Sequence, residues 1–224
     1  MKPRIPRRLF LELAVSLLTG RERSLPADAA RMVAALPGEP SIAGRQHLPY
    51  GPFVLVANHY QRRDLWIGWA GSLLVLSASR PVHWFTLRES RLGGHELPLT
   101  RRLFRRVART YGFIPVPADL SDHAGQAAAI RQAIRLLRAG EAVGLFPEGE
   151  RGHTGRLSPA LPGTPELACL LSRYAPLVPA AVWEEDDYLA AALGEPFRLS
   201  EPSPAALMNP IAGLLPLRFS AASL

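Results

Sequence analysis

Cysteine is nearly absent. The 224 residues hold one, Cys169, so no disulfide can form within the chain and a reducing, intracellular compartment fits. Its setting, "ELACLLSRY", is an apolar helical pattern, which reads as a buried thiol rather than a nucleophile. Lysine is as scarce: Lys2 stands alone, and arginine supplies the other 25 of the 26 basic residues. There is no internal repeat and no low-complexity tract. There is no G-x-S-x-G elbow, no Walker loop and no Gly-rich dinucleotide fingerprint, which removes the enzyme classes built on them. Histidines 47, 83, 95, 123 and 153 lack any mutual spacing that suggests a metal site, so none is expected.

The N-terminal apolar run, Leu9 to Leu18, is too short to span a bilayer, which takes about 20 such residues. Glu12 interrupts it, and no small-residue cleavage site follows, so it is not a signal peptide. Two readings stand: a helix lying on a membrane surface with arginines toward anionic headgroups, or an ordinary helix packed on the core.

What is present is a composition 48% hydrophobic and 20% charged, globular in character and sufficient for one good-sized domain. A net charge of +7 and a pI near 10.4 point to an anionic partner. Nucleic acid is disfavoured, because the basic face over 101–109 carries only Phe104 where a stacking platform would interleave aromatics.

Apolar periodicity and turn signals predict strands within 41–59, chiefly Phe53–Ala57, and over 81–87, 113–116, 142–146 and 177–183. Helices are predicted over 64–78, 100–112, 123–141 and 165–174. This alternation predicts a single α/β domain, its sheet mostly parallel or mixed and flanked by helices, behind a short N-terminal amphipathic helix. The expected divisions are a helical, membrane-associating segment at 1–40, a catalytic domain at 41–200 and a loosely packed, Pro-rich tail at 201–224.

Two polar interruptions break these apolar runs. "NHYQRRD" follows one predicted strand and "PEGERG" another, and parallel strands would bring both to one rim, where open α/β sheets bind ligands. In a regular helix His59 and Asp64 would lie about 140° apart. With His59 in the turn before a helix and Asp64 in its first turn, the carboxylate can fix one ring nitrogen while the other accepts a proton. That is a hydrolase triad lacking its serine, whose place a substrate hydroxyl can take. In the second interruption Glu148 can accept from hydroxyls, Gly149 permits a positive φ, and Arg151 offers a fork for phosphate; a plain Glu–Arg surface pair would use the same residues.

Together the motifs resemble the glycerolipid acyltransferase family, typified by 1-acylglycerol-3-phosphate acyltransferases. N-H-x4-D is met by Asn58, His59 and Asp64, and F-P-E-G-x-R by Phe146, Pro147, Glu148, Gly149 and Arg151. "GRQHLPYGP" resembles the family's lead-in. Gly112, Ile114 and Val116 match its second signature, and Val178–Pro179 its fourth. The resemblance covers roughly 41–183. It implies that His59 is a general base and Asp64 its support. Asn58, Gly112, Glu148, Gly149, Arg151 and Pro179 would form the substrate site, with 65–78 near acyl chains or the bilayer. It also implies acyl-CoA or acyl-carrier protein as co-substrate without a cofactor, a lyso-lipid acceptor, a role in phospholipid biosynthesis and a peripheral place at the inner face of the cell membrane. Two departures stand out: Pro117–Ala118 occupies the place of the family's phosphate-binding arginine, and Glu150 and Gly152 replace hydroxyl residues beside Arg151. A non-phosphate acceptor, or a membrane-binding protein without activity, are the competing readings.

Overall fold

The computed structural model describes residues 6–61, 67–88, 91–92, 95–96, 98–119, 121–149, 156–186 and 188–220. Strand β2 (Val54–Ala57) sets the architecture. All four of its residues are fully buried, and a strand covered on both faces shows an unbroken apolar run instead of alternation. Parallel partners flank it, β7 (Ala142–Leu145) on one side and β8 (Leu177–Glu185) on the other. Beyond β7 lie β3 (Val82–Leu87) and the edge strand β6 (Ile114–Val116), both parallel to it. Beyond β8 come β9 (Tyr188–Leu193), antiparallel, and then β1 (Ser41–Ala43), parallel to β9. The seven-stranded sheet is therefore mixed, with order β1-β9-β8-β2-β7-β3-β6. A separate two-stranded ribbon pairs β4 (Arg91–Leu92) with β5 (His95–Glu96).

Successive side chains of β2 feed two cores. Phe53, Leu55 and Ala57 pack with α2 (Leu25–Val33) and α3 (Ile67–Ser77), while Val54 and Val56 pack with α5 (His123–Arg138), α6 (Thr164–Ser172) and α7 (Pro204–Ala212). Helix α3 has no polar face, and Trp69, Ala70, Leu73, Leu74 and Val75 are all buried. The described part of 65–78 packs against α2, β8 and β9. Cys169 is buried as expected.

The N-terminal helices, α1 (Arg7–Thr19) and α2, are fixed to α4 (Pro98–Tyr111) by charge. Arg23 forks onto Asp28 at 2.6 and 2.7 Å, Glu12 takes Arg31 at 2.5 Å and Arg23 at 3.2 Å, and the Tyr111 hydroxyl donates to Asp28 at 2.8 Å. These neighbours hold the Glu12 carboxyl down near about 2. The residue that breaks the apolar run is thus its anchor.

The chain after 200 does not form the loose tail expected of it. Ser203 caps α7 by accepting from Ala206 N–H, Pro204 occupies the first turn where its missing N–H costs nothing, and Leu207, Met208 and Ile211 are buried. Past the helix, Leu157 N–H donates to Phe219 O at 3.0 Å, and the Phe219 ring meets Tyr60 edge-on at 6.1 Å.

Gly144 of β7 carries the Trp84 ring. A Cβ there would stand 2.3 Å from a ring carbon, and Trp84 in turn stacks on Phe146 at 4.4 Å. Gly144→Ala should therefore cost about 1–3 kcal/mol by overpacking, a fall in Tm of roughly 2–12 °C for a domain of this size. Thermal unfolding followed by circular dichroism measures it, and an unchanged midpoint would mean that the ring moves aside freely.

Candidate functional site

Because β2 and β7 run parallel, with Val56 opposite Leu145, the segments leaving their carboxyl ends emerge on the same rim. His59 lies just past β2 and Glu148 just past β7. They meet: the His59 backbone N–H donates to Glu148 Oε2 at 2.6 Å. The other carboxylate oxygen accepts from Ser158 N–H at 2.5 Å. Glu148 is only 1% exposed, and burial pushes its pKa up against the pull of those two amides. Its described contacts thus bind two loops together, where the sequence reading had it receiving substrate hydroxyls.

The turn that delivers Glu148 closes with Gly149 N–H donating to Phe146 O at 3.1 Å, and Gly149 takes φ +65°, as expected of it. Phe146 places its ring against the His59 imidazole, edge to face at 5.2 Å and 81°. Gly144, Trp84, Phe146 and His59 so form one continuous stack behind the rim, with each ring setting the next.

Asn58 was expected to touch substrate. Its amide instead donates to Val182 O at 2.9 Å and accepts from Val182 N–H at 2.8 Å, a peptide-like clasp in a site 3% exposed. It extends the β2–β8 pairing by one more rung after Ala57–Ala180. Pro179 likewise sits inside the sheet, buried opposite Val56, with its carbonyl accepting from Gly194 N–H. Gly112 makes no described contact with His59 or Glu148 and instead lines a groove with Arg88, Arg105 and Arg109. It ends α4 at φ +69° and leads into the start of β6, whereas His59 follows the end of a strand parallel to β6. Its carbonyl accepts from His83 Nδ1 at 2.7 Å. Asp64 and Arg151 lie outside the described residues.

Several neighbours of the site escaped the sequence reading. Ser158 and Val182 act through backbone atoms, which leave no side-chain signature. Tyr60 gave a usable signal, since it directly follows His59: it is 1% exposed, faces Phe219, and its hydroxyl points to Glu184 at 3.4 Å. Among the described residues, no group of three or more His, Cys, Asp or Glu side chains is placed to hold a metal ion.

A family model described as Acyltransferase matches residues 39–183, a span that includes both the N-H and the P-E-G segments. The chain belongs to the acyltransferase family. Its fold is similar to the crystal structure of the 1-acyl-sn-glycerophosphate (LPA) acyltransferase PlsC from Thermotoga maritima. The TM-score is 0.59 at 18% identity, over 85% of this chain and 76% of that one. No curated protein sequence gives a significant match. In this acyltransferase-family chain, His59 and Glu148 are joined by a bond from main-chain amide to side-chain carboxylate.

Glu148→Gln tests the bridge. The amide keeps one acceptor oxygen and presents an NH2 group to the other N–H, so stability should fall by about 1–3 kcal/mol. The pH dependence has a definite sign. With the folded pKa raised above its ordinary 4.5, the folded state holds the proton longer, so this carboxyl's contribution to stability is lost as pH rises through the folded value. Urea unfolding of both proteins across that range should show this component in the parent and not in the variant.

Proposed function

We propose that the protein moves a fatty acyl group from a thioester donor to the hydroxyl of a lyso-lipid, 1-acylglycerol-3-phosphate foremost, with His59 as general base and Asp64 as its orienting partner. The observation that carries this reading is the His59–Glu148 bond, which fixes the two signature segments on one rim in a chain of the acyltransferase family. The acceptor hydroxyl gives its proton to the neutral imidazole while its oxygen bonds to the thioester carbon. The tetrahedral intermediate then collapses, the C–S bond breaks, and the departing sulfur takes the proton back from the imidazolium. The products are a lipid ester and a free thiol, and no acyl-enzyme forms. Arg151 would pair with the acceptor's phosphate. A lipid acceptor without phosphate is the second reading, favoured by Ala118 standing where the motif resemblance implies a phosphate-binding arginine.

The reading includes a peripheral membrane location. Among the described residues no helix is long and apolar enough to cross a membrane. Phe10, Leu11, Val15 and Leu18 of α1 are 59–74% exposed, and they fall within an arc of about 140° on the helix. Leu103 of the adjoining α4 is exposed too, and Arg7, Arg8, Arg102 and Arg106 lie exposed on the same two helices. An apolar stripe with arginines around it suits an anionic bilayer surface.

Two measurements test these statements. His59→Ala should lower acyl transfer by about 10²- to 10⁴-fold with an unchanged melting curve, and the parent rate should rise with pH as the ring loses its proton. Near-normal turnover in the variant would sink the mechanism. Leu11→Glu combined with Leu18→Glu should weaken sedimentation with anionic vesicles by about 10²-fold or more, with folding intact because both side chains are exposed. Undiminished vesicle binding would place the membrane contact elsewhere.

A further inference from the structure

A groove of about 350 Å³ opens between α4, α5 and the edge strand β6, away from His59 and Glu148. Arg88, Arg105 and Arg109 line it, together with Gln132 and the run Gly112, Phe113 and Pro115. Arg88 directly follows β3, at the same end of the sheet as His59, and donates to Asp122 at 3.0 Å. Arg105 and Arg109 are exposed and one helical turn apart on α4, a helix with no acidic residue. Like charges at that spacing repel, and nothing on their own helix offsets it. Such a pair makes physical sense where an anion completes it.

The groove's distance from the base indicates which anion. β6 is three strands from β2, or about 14 Å at the usual strand spacing of about 4.8 Å. The reactive carbon and a phosphate held in the groove must therefore be well apart on one molecule. A lyso-lipid phosphate is only a few bonds from its hydroxyl. In coenzyme A about thirteen bonds separate the sulfur from the nearest phosphorus, about 16 Å when extended at bond lengths of about 1.3–1.5 Å. The far end also carries a diphosphate, a 3′-phosphate and an adenine. Arginine forks suit the phosphates, and the Phe113 ring and the Gln132 amide suit a base.

Resting on the acyl-transfer reading above, we infer that this groove binds the phosphorylated nucleotide end of the acyl donor, through Arg105 and Arg109. The donor is then a coenzyme A thioester rather than a carrier-protein thioester, which has one phosphate and no adenine.

The test uses the full chain and the double variant Arg105→Ala, Arg109→Ala. Calorimetric titration with free coenzyme A, without acceptor, should show binding to the parent that adenosine 3′,5′-bisphosphate competes for. The variant should bind about 10- to 100-fold more weakly. In turnover, the parent should prefer the coenzyme A thioester over an acyl-N-acetylcysteamine thioester, and the variant should lose that preference through the donor KM. Retained coenzyme A affinity in the variant overturns the inference. So does a rise confined to the KM for lysophosphatidic acid, which would make the groove an acceptor phosphate site. A loss confined to vesicle sedimentation also overturns it, by making the groove a headgroup contact. If the parent binds coenzyme A as described but transfers no acyl group from either thioester, the acyl-transfer reading fails while the nucleotide site stands.

Discussion

A single buried carboxylate, Glu148, holds the rim around His59 in shape. One oxygen takes the amide of His59 from the β2 side, the other the amide of Ser158 from the following loop. Each charge-assisted bond is worth about 1.5–3 kcal/mol, yet burial at 1% exposure still raises the carboxyl above the usual carboxylate range. Desolvation therefore wins over the two amides in setting the proton affinity, while the amides win in setting the geometry.

The rest of the rim follows the same logic of polar groups spent on backbone. Asn58 ties the end of β2 to Val182, and the Gly144–Trp84–Phe146 stack sets the plane against which the His59 ring rests. Farther out, the Glu12–Arg23–Asp28–Arg31 cluster fixes the exposed stripe of α1 relative to α4.

How much of this was legible follows from where the signal lies. Apolar runs such as "FVLVA" and the period of "AIRQAIRLL" identified β2 and α5, because burial and periodicity are written in side chains. β9 was missed because "YLAAAL" is alanine-rich and carries no β-branched residue; it is a strand because it covers the edges of β8 and β1. α7 was hidden by its prolines, although Pro204 stands where a helix tolerates one. Within the site, His59 and Gly149 stand at the rim as the motifs imply. Asn58 and Glu148 were read as facing substrate because their partners are peptide groups of residues 158 and 182, and no sequence pattern announces a peptide group.

The central position of β2 also dictates an order of assembly. Its neighbours arrive late: His59 meets a partner 89 residues on, and Asn58 one 124 residues on. Loop-closure entropy must be overcome before either contact forms, which places this topology among the slow folders. Until β8 and β9 dock, the uncharged, largely apolar α3 lacks the strands it packs against and is an aggregation hazard. Folding yield should thus hinge less on the strength of the finished core than on how long that one helix stays bare.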